Sequence, residues 1–171
     1  MNFDIRTIIA SLPTKKPLIA TIDGGSGSGK STLGKELATA LAVPLVSLDD
    51  FIIAASDEIL DRRSPEQNFL EAFDRGAIAG KLKMLRDSSQ TIIVEGVYSF
   101  RPEWADLIDF RIWIEISPAL RLERMKVRQE NSESQMRLWQ ATEEWYIRKF
   151  RPIEQADLVV DGSTGEILNK C

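Results

Sequence analysis

A glycine-rich stretch near the start of the chain, residues 24–31 with the sequence GGSGSGKS, has the residue types and spacing of a phosphate-binding loop. It matches G-x-x-x-x-G-K-[ST], with an apolar run before it and helix-forming residues after it, the context that this pattern requires. Glycines allow backbone conformations in which consecutive N–H groups point at one anion. Lys30 would add a full positive charge for the β and γ phosphates of a nucleotide, and the Ser31 hydroxyl could reach Mg²⁺.

The stretch therefore predicts a nucleoside triphosphate site, and the alternative interpretation is a flexible surface turn that contains a lysine. The predicted nucleotide-binding residues are Gly24, Gly25, Ser26, Gly27, Ser28, Gly29, Lys30, Ser31 and Thr32.

Carboxylates follow two of the predicted strands, at the sheet edge where parallel strands bind ligands. One strand runs into SLDDF, residues 47–51, and a later one ends in Glu95. Asp49 could orient an attacking hydroxyl and help to hold Mg²⁺, because phosphoryl transfer requires mainly positioning and charge neutralisation. Glu95 could hold the same ion through water, so Ser31, Asp49 and Glu95 are the predicted metal-side residues. The alternatives are helix capping by Asp49 and Asp50, and a solvated strand end at Glu95.

A later predicted helix carries a basic face. Arg121, Arg124 and Arg128 are spaced at i, i+3 and i+7 and share an arc of about 60°. In a phosphotransferase such a face closes over the triphosphate, excludes water and stabilises the charge on the transferring group. Lys30, Asp49, Arg124 and Arg128 are therefore the predicted catalytic residues. A solvated face with i,i+4 ion pairs is the alternative, and Arg121 is the best candidate for a structural role.

The composition excludes several classes of function. A net charge of −4 and a pI near 5.0 disfavour binding to nucleic acid or to an anionic membrane. The chain has no histidine, which excludes Ser-His-Asp triads and histidine metal sites, and its only cysteine is Cys171. The single cysteine favours the reducing cytoplasm, and the first residues are too charged for a signal peptide. We therefore expect a cytoplasmic protein. The acidic net charge favours a small-molecule partner, and we expect a monomer or homodimer.

Five apolar or β-branched runs predict the strands that position these residues: 18–22, 45–48, 91–95, 110–116 and 157–160. Helical spacing between them predicts alternating β and α elements and a parallel sheet covered on both faces. The expected fold class is a three-layer α/β/α P-loop NTPase with five parallel strands. We expect one domain over residues 1–171, with a short helical lid at about 121–137. Trp113, Trp139 and Trp145 are interpreted as core residues rather than as a base-stacking platform.

The motifs GGSGSGKST, SLDDF, IIVEGVYSFRP, RLERMKVR and ADLVVDG together resemble the uridine kinase family of P-loop kinases, which includes nicotinamide riboside kinases. The resemblance covers about residues 17–162. It implies transfer of the ATP γ-phosphate, with Mg²⁺, to a hydroxyl of a small molecule, usually the 5′-hydroxyl of a nucleoside. It also implies that Asp49 faces that hydroxyl, that Glu95 lies on the Mg²⁺ side, and that Arg124 and Arg128 are lid arginines.

The chain departs from this family on the acceptor side. Asn68 aligns with the segment that carries an acceptor-binding Asp, and Ile52 stands where an aromatic residue is common. Residues 75–90 leave no room for the hairpin that covers the base in uridine kinases. The predicted acceptor contacts are Asp49, Phe51, Asn68 and Tyr98.

Three hypotheses follow. The leading one is an ATP- and Mg²⁺-dependent kinase of a small-molecule hydroxyl, with a nucleoside as the first choice of acceptor. A kinase of a sugar or sugar acid, of the small P-loop type, is the second. A regulator that binds ATP without catalysis belongs to a different class. Switch GTPases are disfavoured because the N/T-K-x-D and D-x-x-G motifs are not found after predicted strands.

Overall fold

The predicted strands form one sheet in the computed structural model, which describes residues 3–14, 17–128 and 132–170. Six strands of this part of the chain lie in the order β2-β3-β1-β4-β5-β6. In chain order they are β1 (Ile19–Gly24), β2 (Leu45–Ser47), β3 (Ile92–Glu95), β4 (Phe110–Glu115), β5 (Leu158–Asp161) and β6 (Ile167–Lys170). The first five are parallel and correspond to the five predicted runs, whereas β6 pairs antiparallel with β5. The predicted fold class is confirmed, with one edge strand more than predicted.

Helices connect the strands and cover both faces of the sheet. In chain order they are α1 (Ile5–Ser11), α2 (Lys30–Leu41), α3 (Asp57–Arg62), α4 (Pro65–Glu71), α5 (Arg75–Asp87), α6 (Pro118–Arg128), α7 (Glu133–Phe150) and α8 (Pro152–Gln155). Short 3₁₀ turns follow β2, at Leu48–Phe51, and precede β4, at Pro102–Leu107. Within the described residues, no helix combines the length and apolar character needed to cross a membrane.

Alternate side chains of β1 enter two separate cores, one on each face of the sheet. Ile19 packs with residues of α4, α5 and α7, and Ile22 packs with residues of α1 and α2. Both isoleucines are fully buried, and each such burial contributes about 1.5–3 kcal/mol to stability. This two-sided burial sets the strand register, so that Ile22 and Ser47 both pair with Glu95. The carboxyl ends of β1, β2 and β3 therefore meet at one edge.

Local capping signals mark the starts of two helices, α4 and α6. Ser64 and Gln67 form a capping box at the start of α4, with Pro65 as the first helical residue. Ser117 caps α6, as its position before Pro118 predicts, and its hydroxyl oxygen accepts the N–H of Leu120 at 3.3 Å. The helices α6 and α7 span most of the segment predicted as a lid.

Candidate active site

The glycine-rich stretch forms the loop that joins β1 to α2. Gly24 ends β1 with a φ of +152°, and a Cβ at this position would lie 2.7 Å from the carbonyl oxygen of Ile114. Gly29 caps α2 in the left-handed region, with a φ of 108°. Both positions therefore require glycine, and the loop brings its backbone amides to the N-terminus of a helix, where anions bind.

Two basic side chains lie against this loop. The Lys30 Nζ donates to the carbonyl oxygen of Gly25 at 3.0 Å, and the residue is only 8% exposed. The Arg124 guanidinium, from α6, donates to the carbonyl oxygens of Gly27 at 3.2 Å and Gly162 at 3.0 Å. Arg128 ends α6, and its side chain falls outside the described part of the chain. The structure thus places Lys30 and Arg124 beside the predicted phosphate site.

Two of the three predicted metal-side residues, Ser31 and Glu95, meet at the carboxyl end of β3. Glu95 is 2% exposed, and its two carboxylate oxygens accept from the hydroxyls of Ser31, at 3.0 Å, and Ser47, at 2.6 Å. These hard oxygen atoms are the kind that Mg²⁺ prefers. No group of three or more His, Cys, Asp or Glu side chains among the described residues could hold a metal alone. The donors therefore fit an ion that also takes oxygens from phosphate or water, as Mg²⁺ does.

A cavity of about 310 Å³ opens in front of the loop. Its described lining is Ser26, Gly27, Gly29, Lys30, Ser31, Thr32, Asp49, Ile52, Val97, Met125, Gln135, Met136 and Trp139. Asp49, in the 3₁₀ turn after β2, therefore faces the same space as Lys30 and Ser31. The apolar members come from four different segments, and Lys30 is the sole basic residue in this described lining.

Three of the predicted acceptor contacts lie elsewhere. Asn68 is 1% exposed, and its amide donates to the hydroxyl of Thr142 in α7 at 3.1 Å. Tyr98 is fully buried, and Phe51 is partly buried against the core cluster that contains Tyr98. Their positions argue against direct contact of Asn68 and Tyr98 with an acceptor, because buried packing between α4, α7 and the β3 loop occupies both side chains.

Trp139 has two roles, of which sequence reasoning recognised only one. Its ring stacks on Tyr98 with the centroids 6.1 Å apart and meets Phe73 edge-on at 5.7 Å. The same side chain lines the cavity. Trp113 and Trp145 pack with the core, as predicted.

A buried carboxylate behind the loop was missed. Asp23 is 1% exposed and accepts from the backbone N–H groups of Gly24 at 2.7 Å, Tyr98 at 3.1 Å and Phe100 at 3.2 Å, and from the Tyr146 hydroxyl at 2.8 Å. Burial raises the pKa of Asp23 to about 6, although the Tyr146 and Gly24 hydrogen bonds oppose that change. A lone acid within a buried apolar run was the signal that could have identified it.

A second buried acid, Glu143 of α7, was also missed. Its carboxylate accepts from the backbone N–H of Ser26 at 3.0 Å, from the Ser26 hydroxyl and from the Arg121 guanidinium. This ion pair agrees with a structural role for Arg121. Glu143 is 117 residues from Ser26, so no local pattern could have connected them.

These features define a P-loop NTPase fold with a phosphate site. They are the strand order, the loop that ends in Lys30 and Ser31, and the acids at the same edge of the sheet. More specifically, the chain belongs to the AAA domain family, whose model matches residues 21–162.

Two curated relatives are cytidylate kinases. The protein from Acidiphilium cryptum (strain JF-5) is 28% identical over 100 residues, which are 56% of this chain and 47% of the relative. The protein from Methanosphaera stadtmanae (strain ATCC 43021 / DSM 3091 / JCM 11832 / MCB-3) is 28% identical over 117 residues, 67% of this chain and 66% of the relative. The matches thus span about half to two thirds of the length of these curated relatives.

Solved structures share the fold over most of this chain. A protein described as a possible uridine kinase from Bacillus stearothermophilus has a TM-score of 0.66 at 23% identity and covers 91% of this chain and 94% of its own. Shikimate kinase from Bacteroides thetaiotaomicron has a TM-score of 0.54 at 17% identity, covering 85% and 86%. A gluconokinase from Sinorhizobium meliloti 1021 has a TM-score of 0.52 at 18% identity, covering 88% and 85%. At these identities the likeness shows the fold.

Proposed function

We propose that this protein is a kinase that uses ATP and Mg²⁺ to phosphorylate a hydroxyl group of a small molecule. The observation that carries the proposal is one cavity lined by Lys30 and Ser31 of the loop and by Asp49 of the 3₁₀ turn after β2. A phosphate-binding surface and a carboxylate that can receive a proton thus face the same space. Membership of the AAA domain family and the kinase names of the relatives support it. We also propose that the protein is cytoplasmic, because ATP, Mg²⁺ and small alcohols are all present there.

The loop would hold the nucleotide through its backbone amides, with Lys30 against the β and γ phosphates. Ser31 and Glu95, which are already hydrogen-bonded to each other at 3.0 Å, would hold Mg²⁺ together with phosphate oxygens. The ion would neutralise charge on the phosphates during transfer. Arg124 donates to the carbonyl oxygens of Gly27, in the loop, and Gly162, after β5, and would place its guanidinium beside the phosphates.

Asp49 would act on the acceptor. Its carboxylate accepts the proton of the acceptor hydroxyl as that oxygen forms a bond to the γ-phosphorus. The bond between the γ-phosphorus and the oxygen that bridges to the β-phosphate breaks, and ADP leaves with the bonding electron pair. Asp49 lines the cavity from an exposed turn, so it remains accessible to an incoming hydroxyl.

The lining of the cavity favours an uncharged acceptor with an apolar face, of which a nucleoside is the first choice. Two other candidate acceptors are negatively charged: cytidylate, which the names of the curated relatives suggest, and a sugar acid. A basic side chain must compensate that charge in the site. Among the described lining residues, Lys30 supplies the only such charge, and the proposed nucleotide uses it. The ring of Trp139, with Ile52 and Val97, would instead pack against a base.

The test is ADP release, measured with a coupled assay and Mg·ATP, over a panel of nucleosides, sugars, sugar acids and cytidylate. We expect turnover that depends on a neutral acceptor, and Asp49→Asn should lower kcat about 10²- to 10⁴-fold without changing the affinity for ADP. Asp50→Asn, the same change on the adjacent residue, which is not in the described cavity lining, is the control and should stay active.

Absence of ADP release with every acceptor would overturn the kinase proposal and favour a non-catalytic nucleotide-binding protein. Turnover with cytidylate or a sugar acid alone would overturn the assignment of a neutral acceptor. An Asp49→Asn variant with full activity would remove Asp49 from the mechanism.

A further inference from the structure

One face of α7 reaches both the cavity and the back of the phosphate-binding loop. Trp139 lines the cavity, whereas Glu143 and Tyr146 contact the loop region from behind. At 100° per residue these three side chains fall within an arc of about 60°. A single helix therefore borders the acceptor space and the loop at the same time.

Glu143 makes the more direct of the two loop contacts. It is 2% exposed, and its carboxylate receives three hydrogen bonds, from the backbone N–H of Ser26, the Ser26 hydroxyl and the Arg121 guanidinium. The guanidinium also packs on the loop backbone, because a Cβ at Gly25 would lie 3.2 Å from the Arg121 Nη1. The acid therefore joins α7, the loop and α6 in one buried contact.

Tyr146 holds the start of the same loop indirectly. Its hydroxyl donates to Asp23 at 2.8 Å, and Asp23 accepts the N–H of Gly24 at 2.7 Å. Burial and the neighbouring Asp23 carboxylate raise the pKa of Tyr146 well above its usual value, so the hydroxyl keeps its proton and remains a donor. Two residues of α7 thus hold the loop at two neighbouring points.

A loop so rich in glycine has many backbone conformations available, and only a few of them direct consecutive N–H groups at one phosphate. Affinity for the nucleotide improves when the loop adopts such a conformation before binding, because less ordering then opposes binding. A buried carboxylate with fixed donors is suited to this task, since its hydrogen bonds are strong and directional. Loss of its charge would also leave Arg121 without its buried partner.

We propose that Glu143 is a positioning residue of the nucleotide site, which holds the loop through Ser26 and docks α6 through Arg121. The inference rests on the proposed function only in that the ligand of the loop is a nucleotide. Glu143 is not a catalytic residue in this proposal, because it acts through Ser26 and Arg121 and lies behind the loop.

The experiment compares Glu143→Gln with Glu144→Gln, an identical change on the next residue, which is exposed. Isothermal titration calorimetry with ADP and Mg²⁺, well below the unfolding temperature, measures nucleotide affinity without any acceptor. We expect the Kd for ADP to rise about tenfold or more in Glu143→Gln, since a hydrogen bond to a charged group is lost, and to stay within about twofold in Glu144→Gln. In turnover assays the KM for ATP should rise while the KM for the acceptor stays unchanged.

Thermal unfolding of both variants separates positioning from folding. A lower Tm with an unchanged Kd for ADP would show a purely structural role and would overturn the proposal. If Glu143→Gln does not fold, Ser26→Ala replaces it, since this change removes one of the three hydrogen bonds to Glu143. The Kd for ADP should then rise a few-fold, and an unchanged Kd in Ser26→Ala would also overturn the proposal. A wild-type protein that does not bind ADP contradicts the proposed function itself, whereas wild-type binding with unaffected variants contradicts only this inference.

Discussion

The two sides of the cavity are built in different ways. The phosphate side is one continuous stretch, residues 24–31, held from behind by the buried acids Asp23 and Glu143. The side proposed for the acceptor is assembled from separate segments, and its members Ile52 and Met136 are 40% and 36% exposed. The glycine positions of the loop cannot change without strain, whereas exposed apolar side chains from several segments can change without loss of the fold. The phosphate-binding loop is thus encoded by one local pattern, whereas the surface proposed to bind the acceptor is not.

Removal of the charge on the phosphate side should have the most severe consequence. Lys30→Ala should lower kcat/KM about 10²- to 10³-fold, because a charge directed at the transferring group is lost, and should also weaken ADP binding. Lys35→Ala, on an exposed position of α2, is the matched control. Steady-state kinetics and ADP calorimetry measure both effects. Unchanged ADP affinity in Lys30→Ala would show that Lys30 does not contact the bound phosphates.

The support of the phosphate side should respond to pH, because Asp23 is a buried titratable group. Burial raises the folded-state pKa of Asp23 from 3.8 to about 6. Between about pH 4 and pH 6 the Asp23 carboxyl is deprotonated in the unfolded chain but still protonated in the folded chain. The free energy of unfolding therefore falls as pH rises through this window, by up to about 3 kcal/mol. Above pH 6 this contribution is constant.

Asp23→Asn removes the titration. Denaturant unfolding at pH 4 to 7 should therefore show wild-type stability, relative to Asp23→Asn, decreasing as pH rises through that window. Parallel curves for the two proteins would contradict a raised pKa of Asp23.

The smallest effect is expected on the acceptor side. Trp139→Leu keeps apolar volume but removes the flat ring, so the acceptor KM should rise up to about tenfold while ADP affinity stays within about twofold. Trp145→Leu makes the same change on the same helix, in the core, and should lower Tm without raising the acceptor KM. Equal acceptor KM values in both variants would show that Trp139 does not contact the acceptor.

The same division explains what could be predicted from the sequence. The loop and the five parallel strands are marked by contiguous patterns, and the structure has both. The edge strand β6 was missed because only Ile167 and Leu168 form its apolar part, too short a run to indicate a strand. Asn68 was assigned to the acceptor by resemblance, whereas its hydrogen bond to Thr142 depends on how α4 packs against α7. Contacts between distant segments, such as Ser26 with Glu143, leave no local pattern.

The edges of the sheet bear on how the protein behaves at high concentration. The outer strand β2 has three residues, and β6 at the other edge has four and pairs irregularly with β5 between Val159 and Val160. Short or irregular outer strands give a neighbouring chain few backbone groups with which to extend the sheet. Strand-to-strand aggregation of folded molecules is therefore disfavoured by the architecture itself, independently of any ligand.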